Sequence, residues 1–414
     1  MAGLKGKRIA IIGGCGHVGL PLGVKFALAG AETVLVDIDT EKVDAVNAAS
    51  FPFLEEDGDR QLAMALEEGL FATLDVSECA NRDVIVFVTG TPVDEHLNPK
   101  LSEVIGVFDS FAEYFAKDTL VVMRSTLFPG TMDYLYRHTR KMGLEVALSF
   151  CPERVAQGYA LREIDSLPQI VSAFDEGDFR LAYEIFRHIA PCVLKLRPIE
   201  AELSKLMANS WRYLEFAIAN QFYMIAESNG VDFYRVYDAI RYDYKRAKAY
   251  KSPGLAAGPC LFKDTMQLAS YFNNRFYMGH AAMLVNEGLT SFIVERVCLE
   301  LSSDSLWGKK ISLLGMTFKA DSDDVRESLS FKLRKELAFR GAEVLCHDPY
   351  VDPSSVDMVE SLDCALEGVD LVVVATPHSD YRDLKTKKPI VDVWGCQRNS
   401  ELEVLPGFSD PKDN

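Results

Sequence analysis

The chain has 414 residues, 48% of them hydrophobic, with 61 Asp plus Glu against 44 Lys plus Arg and a net charge of −17. At roughly 100–200 residues per domain this is two or three domains, which excludes a disordered tail or a disulfide-stapled mini-protein. The acid excess excludes a broad electrostatic grip on nucleic acid or on an anionic membrane, so any bound anion must meet locally placed cations.

The 9 cysteines are scattered, without a CxxC pair or a His spacing that suggests zinc. They read as reduced thiols of a cytoplasmic protein with no metal site. Lys5, Lys7 and Arg8 lead directly into a strand and a glycine loop rather than a secretory apolar segment, and no apolar run approaches the ~20 residues of a membrane span.

In chain order, Arg8–Ile12, Glu32–Val36, Val84–Val88, Leu120–Met123 and Leu144–Ser149 are apolar runs with strand character. Amphipathic stretches such as Val18–Leu28 and Val104–Ala116 separate them, and this alternation predicts a mostly parallel sheet in a nucleotide-binding domain over 1–195. Glu200 to Gly230 carries a helical period with Leu203, Leu206, Met207, Leu214, Ile218 and Ile225 among its apolar positions. A helix of that length predicts a spine between domains or at an oligomer interface. More helix is expected over Ala281–Leu301. A second series, Lys310–Leu314, Glu343–Cys346, Leu371–Ala375 and Ile390–Val393, gives another α/β region. The expected fold class is α/β: two Rossmann-like doubly wound lobes joined by a helical middle domain with a long central helix. The expected divisions are 1–195, 196–305 and 306–414.

Gly14-Cys15-Gly16-His17-Val18-Gly19 follows the first strand and opens a helix. In that context the glycines allow a tight turn and let backbone N–H groups approach a pyrophosphate at the positive helix end. Asp37 closes the second strand, where a carboxylate accepts from a ribose 2′-OH. With no Arg in the next two residues, NAD is favoured over NADP, while flavin shares the fingerprint. Cys260 stands just before a predicted helix start with Lys263 and Asp264 three and four residues on. A helix dipole there would lower a thiol pKa, although a lone Cys is more often an inert buried thiol. Lys205, Asn209, Arg212, Phe216 and Asn220 form a mainly polar stripe, the usual mark of a solvated helix face.

Taken together these residues resemble the UDP-glucose/GDP-mannose dehydrogenase family, NAD-dependent four-electron oxidoreductases that convert a sugar C6 alcohol to a carboxylate. Gly14 to Pro21 looks like the family's GxGxVGLP opening, Gly90-Thr91-Pro92-Val93-Asp94 its TPxD loop, and Ser125-Thr126-Leu127-Phe128-Pro129-Gly130-Thr131 its STxxPGT turn. Cys151-Pro152-Glu153-Arg154-Val155 is similar to the PE substrate loop, Lys205 with Asn209 to the K-x-x-x-N helix, and Cys260 with Lys263-Asp264 to the nucleophile loop. Gly315 to Asp321 and Asp324 to Ser328 resemble the stretch opening the C-terminal lobe. Two departures stand out. Leu255 and Ala257 replace loop glycines, and Trp394 replaces an arginine.

The resemblance implies a nucleotide-sugar substrate and a homodimer or higher oligomer, with no nucleic-acid or membrane partner. It implies that the central segment carries the dimer contact and the Cys loop, and that the C-terminal segment binds the UDP-sugar. Gly14, Gly16, His17, Val18, Gly19, Asp37, Thr91, Pro92 and Thr126 would hold NAD. Glu153, Arg154, Lys205, Asn209, Arg246, Lys263, Lys319 and Arg326 would bind the sugar nucleotide. The chemistry would rest on Cys260, Lys205, Asp264, Asn209, Glu153 and Thr126. A hydride leaves C6 while Lys205, or a water held by Asp264, takes the hydroxyl proton. The Cys260 thiolate adds to the aldehyde, a second hydride leaves, and water positioned by Asp264 with Thr126 and Glu153 hydrolyses the thioester. The PER form of the substrate loop points to a UDP-N-acetylhexosamine, with UDP- or dTDP-glucose next. A two-electron β-hydroxyacid dehydrogenase would need neither Cys260 nor the second α/β lobe. A non-catalytic sugar-nucleotide binder would be expected to have lost Cys260, Lys205 or Asp264.

Overall fold

The computed structural model describes residues 3–91, 93–94, 99–398, 402–403 and 405. It comprises two compact units, Met1–Ser210 with Lys263–Tyr277, and Trp211–Phe262 with Met278–Asn414. Among the described residues no helix is long and apolar enough to cross a membrane.

The first unit is built on eight strands: β1 (Arg8–Ile12), β2 (Glu32–Val36), β3 (Phe71–Thr73), β4 (Val84–Phe87), β5 (Leu120–Met123), β6 (Ala147–Phe150), β7 (Gln169–Ala173) and β8 (Val193–Leu196). Their order is β3-β2-β1-β4-β5-β6-β7-β8. The first six run parallel, and β7 reverses against β6. Every residue of β4 and β5 is buried, so they read as continuous apolar runs, the signature of a sheet covered on both faces. Ile9, Ile11 and Val86 pack on one face with Leu20 and Phe26. Ala10, Ile12 and Phe87 pack on the other with Phe108. The chain leaves β1 to one side and returns beside it as β4, and this switch point opens a crevice at the carboxyl ends of the strands.

Most strand expectations match. The expected Leu144–Ser149 begins instead at Ala147, because the Leu144 N–H still bonds to Thr139 O and belongs to the preceding helix exit. β3, β7 and β8 were not anticipated: β3 has three residues, and β8 is a half-exposed edge strand carrying Lys195.

The helix Pro198–Ser228 is continuous over 31 residues. Near its start Glu202, 1% exposed, accepts from the N–H groups of Gly130 (2.7 Å) and Met132 (2.8 Å). It thereby satisfies donors at the start of the helix Thr131–Lys141, which have no partners within that helix. Burial raises the Glu202 carboxyl to about 7. The folded state holds this proton more tightly than the unfolded chain. Its contribution to stability is therefore full below the ordinary carboxyl range and is lost as pH rises toward 7. Glu202→Ala is expected to cost about 1–3 kcal/mol for stranding buried N–H donors, read as a lower denaturant midpoint. Its stability profile should also lose the decline between pH 5 and 7 attributed to this group.

The second unit holds β9 (Lys310–Leu314), β10 (Glu343–His347), β11 (Leu371–Val374) and β12 (Ile390–Asp392), all parallel in the order β10-β9-β11-β12. Ile311, Leu313 and Val373 pack with Leu333 and Leu337 of the helix Leu329–Phe339 and with Leu289, Ile293 and Val297 of the helix Tyr277–Glu300.

The two units share one local device. After β1, Gly13 N–H bonds Val36 O at 2.8 Å and Cys15 N–H bonds Asp37 Oδ2 at 2.9 Å. After β9, Gly315 N–H bonds His347 O at 2.8 Å and Thr317 N–H bonds Asp348 Oδ2 at 3.0 Å. Both glycines have positive φ, 76° and 95°, which side-chain-bearing residues seldom adopt. Only Asp348 is sealed: it is 4% exposed and bonded to Met316 N–H and His378 Nε2.

Candidate active site

The three fingerprint glycines do different work. A Cβ on Gly14 would lie 2.7 Å from Leu35 Cβ and 2.8 Å from Ile11 O, and one on Gly19 2.7 Å from Gly14 Cα. These two are required by the turn and by helix-to-strand packing. On Gly16 the nearest atom would be 3.7 Å away. The fold leaves room there, so the missing side chain serves whatever approaches the loop. Asp37 accepts from Cys15 N–H, Ile38 N–H (2.8 Å) and Asp39 N–H (3.2 Å). A carboxylate has about four lone-pair sites, so capacity remains for a hydroxyl. Val18 and His17 are half-buried at the head of the helix Gly19–Leu28, and the His17 ring lies 3.9 Å from that of Phe53.

A second group gathers within the same unit. Asp264 is buried on the helix Leu261–Tyr271, and Asn209 Nδ2 donates to its Oδ2 at 2.6 Å. Its Oδ1 has no partner among the described residues. Burial holds the Asp264 carboxyl above the usual range, while Lys263, Lys205 and the Asn209 bond pull it back. Lys205 Nζ donates to the backbone carbonyl of Glu153 at 2.5 Å, and Lys263 Nζ to that of Thr91 at 3.3 Å. The stripe expected to be solvated is so at Arg212, which is exposed, but Lys205 and Phe216 are half-buried, and Asn209 and Asn220 are 6% and 0% exposed and bonded to interior partners.

Cys260 belongs to the second unit, where it is exposed immediately before the helix Leu261–Tyr271. Its loop is fixed through Gly258, whose N–H bonds Glu327 O at 3.2 Å. Gly258 has φ 95°, and a Cβ there would meet the Phe318 ring at 2.5 Å. The Arg326 guanidinium is held by Asp324 and also senses the charge of Cys260, which puts a cation in the thiol's field.

Three family models match along the chain in order: the NAD binding domain of the UDP-glucose/GDP-mannose dehydrogenase family over 7–190, its central domain over 199–287 and its UDP binding domain over 312–399. The chain belongs to this family. The UDP-N-acetyl-D-mannosamine dehydrogenase of Methanocaldococcus jannaschii is 30% identical over 385 residues, 91% of this chain and 87% of that one. Two solved structures superpose with TM-scores of 0.87: a UDP-glucose dehydrogenase from Pyrobaculum islandicum (27% identity, 94% and 95% covered) and a UDP-D-ManNAc dehydrogenase from Pyrococcus horikoshii (26%, 95% and 96%). The protein is thus an NAD-dependent nucleotide-sugar dehydrogenase.

Other expected positions of the dehydrogenase divide. Thr126 and Thr91 are half-buried in turns after β5 and β4, and Pro92 lies outside the described residues. Arg154 donates to Pro168 O. Lys319 is half-buried, and Arg246 is exposed in the short turn Lys245–Ala247. Arg124 was not anticipated. It is 1% exposed, paired with the Glu153 carboxylate, and bonded to Cys151 O (3.1 Å) and Gln169 Oε1 (3.0 Å). Burial lowers its guanidinium to about 10, still cationic at neutral pH. The one signal was a charged residue closing an apolar strand run just before Ser125-Thr126.

Gly16→Ala separates folding from cofactor binding. The dehydrogenase variant is expected to keep its thermal midpoint, since the added Cβ meets nothing closer than 3.7 Å. Its KM for NAD should rise about tenfold or more through lost backbone approach to the pyrophosphate.

Proposed function

We propose that the protein oxidises the C6 alcohol of a UDP-N-acetylhexosamine, UDP-N-acetylmannosamine first, to the uronate through a covalent intermediate on Cys260. NAD supplies the hydride acceptor when bound. The backbone of Gly14, Gly16, His17, Val18 and Gly19 would face its pyrophosphate, Asp37 its ribose, and Thr91 and Thr126 the same crevice. The observation that carries the reading is Asp264: a carboxylate buried among Lys205, Lys263 and Asn209, with one oxygen unpartnered among the described residues, four positions after Cys260. Such a group positions and deprotonates a water. Lys205 and Asn209, one helical turn apart, would stabilise a developing oxyanion. Glu153, Arg154, Lys263, Lys319, Arg326 and, from the exposed turn, Arg246 would contact the sugar nucleotide.

The N-acetyl preference draws on the names of the Methanocaldococcus jannaschii and Pyrococcus horikoshii relatives and on Pro152-Glu153-Arg154. UDP-glucose is the second reading, favoured by Lys263-Asp264 and by the Pyrobaculum relative. NADH production is to be measured with UDP-ManNAc, UDP-GlcNAc, UDP-GalNAc, UDP-glucose, dTDP-glucose and GDP-mannose. The largest kcat/KM is expected with UDP-ManNAc, and a preference for UDP-glucose would replace the first reading with the second.

The assembly we infer is a homodimer through the long helix. Met207, Trp211, Ile218, Phe222 and Ile225 are 45–61% exposed, and their spacings of 3, 4 and 7 residues put them on one seam. Trp211→Glu is expected to shift the mass measured by light scattering toward the monomer.

A further inference from the structure

The second unit contains a cleft of about 340 Å³ that no step above uses. Tyr223, Glu227, Arg296, Glu300 and Asp392 line it. Tyr223 is 5% exposed, and among the described residues its hydroxyl makes no hydrogen bond. Tyr223 lines the cleft beside Glu227, Arg296, Asp392 and Glu300, and all four charges act on its phenol.

The charge balance decides what would complete the site. The walls carry Glu227, Asp232, Glu300 and Asp392 against Arg296 and Arg398. Arg398 is already neutralised, its Nη1 spanning both oxygens of Asp238 at 3.0 and 3.2 Å. Arg296 is shared between Glu227 (3.4 Å) and Glu300 (3.2 Å), so it offers little to an anion. Asp392 is committed to the N–H groups of Trp394, Gly395 and Gln397. Glu227 is left with one long bond from Phe233 N–H, 3.3 Å, and half of one guanidinium. Burial raises its carboxyl, a cost that an incoming cation would relieve. Among the described residues there is no group of three side chains able to hold a metal ion.

We propose that this cleft binds an organic ammonium ion of the diamine or polyamine class, with the Tyr223 hydroxyl accepting from the ammonium and Glu227 as its counter-charge. A compact metal ion would need a ligand shell the walls lack. A polyamine instead spreads its charges over separated carboxylates and lays its methylene chain against the Tyr223 and Tyr234 rings.

The test is isothermal titration calorimetry of the full chain with putrescine and spermidine, and with magnesium chloride and sodium chloride at matched ionic strength. Saturable binding of a diamine or polyamine is expected, weakened about tenfold or more in Tyr223→Phe and Glu227→Gln, as for a lost charge-assisted hydrogen bond. Both variants are nearly isosteric. Glu300→Gln, at the more exposed wall, gives a third measurement that does not disturb the interior. Absence of saturable heat at millimolar polyamine, equal affinity in all variants, or displacement by magnesium at equal ionic strength would each overturn the proposal.

Discussion

Cys260→Ser is expected to abolish carboxylate formation while leaving the fold intact. An aldehyde carbon does not surrender its hydrogen as hydride until a nucleophile has made it tetrahedral. In the scheme proposed above, the Cys260 thiolate is that nucleophile. Serine is close to isosteric at this exposed position, and Gly258, which sets the loop against Phe318 and Glu327, is untouched. At neutral pH, however, the serine hydroxyl is almost wholly protonated and the second oxidation has no covalent route. Wild type should release two NADH per sugar and the variant at most one. Turnover to carboxylate should fall by at least about 10³-fold, roughly 4 kcal/mol of barrier. Absorbance at 340 nm and product analysis by NMR read both numbers. Full carboxylate at wild-type rate from the serine variant would remove the thioester from the scheme.

What the sequence made legible, and what it hid, follows from the range of the interactions. Strands β1, β2, β5 and β9 carry the expected residue bounds because a covered parallel sheet writes itself as local apolar runs. The glycine loop is likewise local. On the polar stripe of the long helix, the burial of Asn209 and Asn220 was hidden because their partners are distant. Asn220 donates to Gly254 O at 3.0 Å, accepts from Gly254 N–H at 2.8 Å and meets Asn286 at 2.9 Å, so an amide clamps the Cys loop from inside. Nothing within a helical period distinguishes that from a wet face.

Trp394 has a similar explanation. It stands where the family offers an arginine, and its ring fills the space over Gly254, where a Cβ would come within 2.2 Å. Its Nε1 donates to Ala375 O at 2.7 Å. Leu255, one of the residues replacing a loop glycine, is 4% exposed in the core of the second unit. The departures at 255 and 394 are therefore packed parts of the second unit. Arg124 and Glu202 were illegible for the opposite reason. Each is a lone charge whose meaning depends on carbonyls, carboxylates or N–H groups that only the fold assembles.

Asp264→Asn should stop the reaction at a different point. The amide matches the carboxylate in size, and the bond with Asn209 survives if the new side chain turns its oxygen toward Nδ2, so the pocket is preserved. What disappears, in the scheme proposed above, is the base for the hydrolytic water. The first turnover should give a burst of NADH with a sugar acyl group left on Cys260, visible as added mass in the intact protein. Steady-state turnover should fall about 10²–10⁴-fold, the usual contribution of a positioned general base. In wild type the rate should rise with pH through an apparent pKa above that of an ordinary aspartate, since burial favours the neutral form. That limb should vanish in the variant.

Stability should move the other way. With its folded-state pKa raised, Asp264 stabilises the protein most when protonated and costs stability as pH rises and the buried carboxylate ionises. Asn carries no such cost. The variant should therefore melt above wild type at neutral pH, with the gap closing in acid. A wild type that melts above the variant at neutral pH would mean that Lys205, Lys263 and Asn209 already offset the burial of the charge. Asp264 would then titrate as an ordinary aspartate, and the pH limb of turnover would have to be assigned to another group.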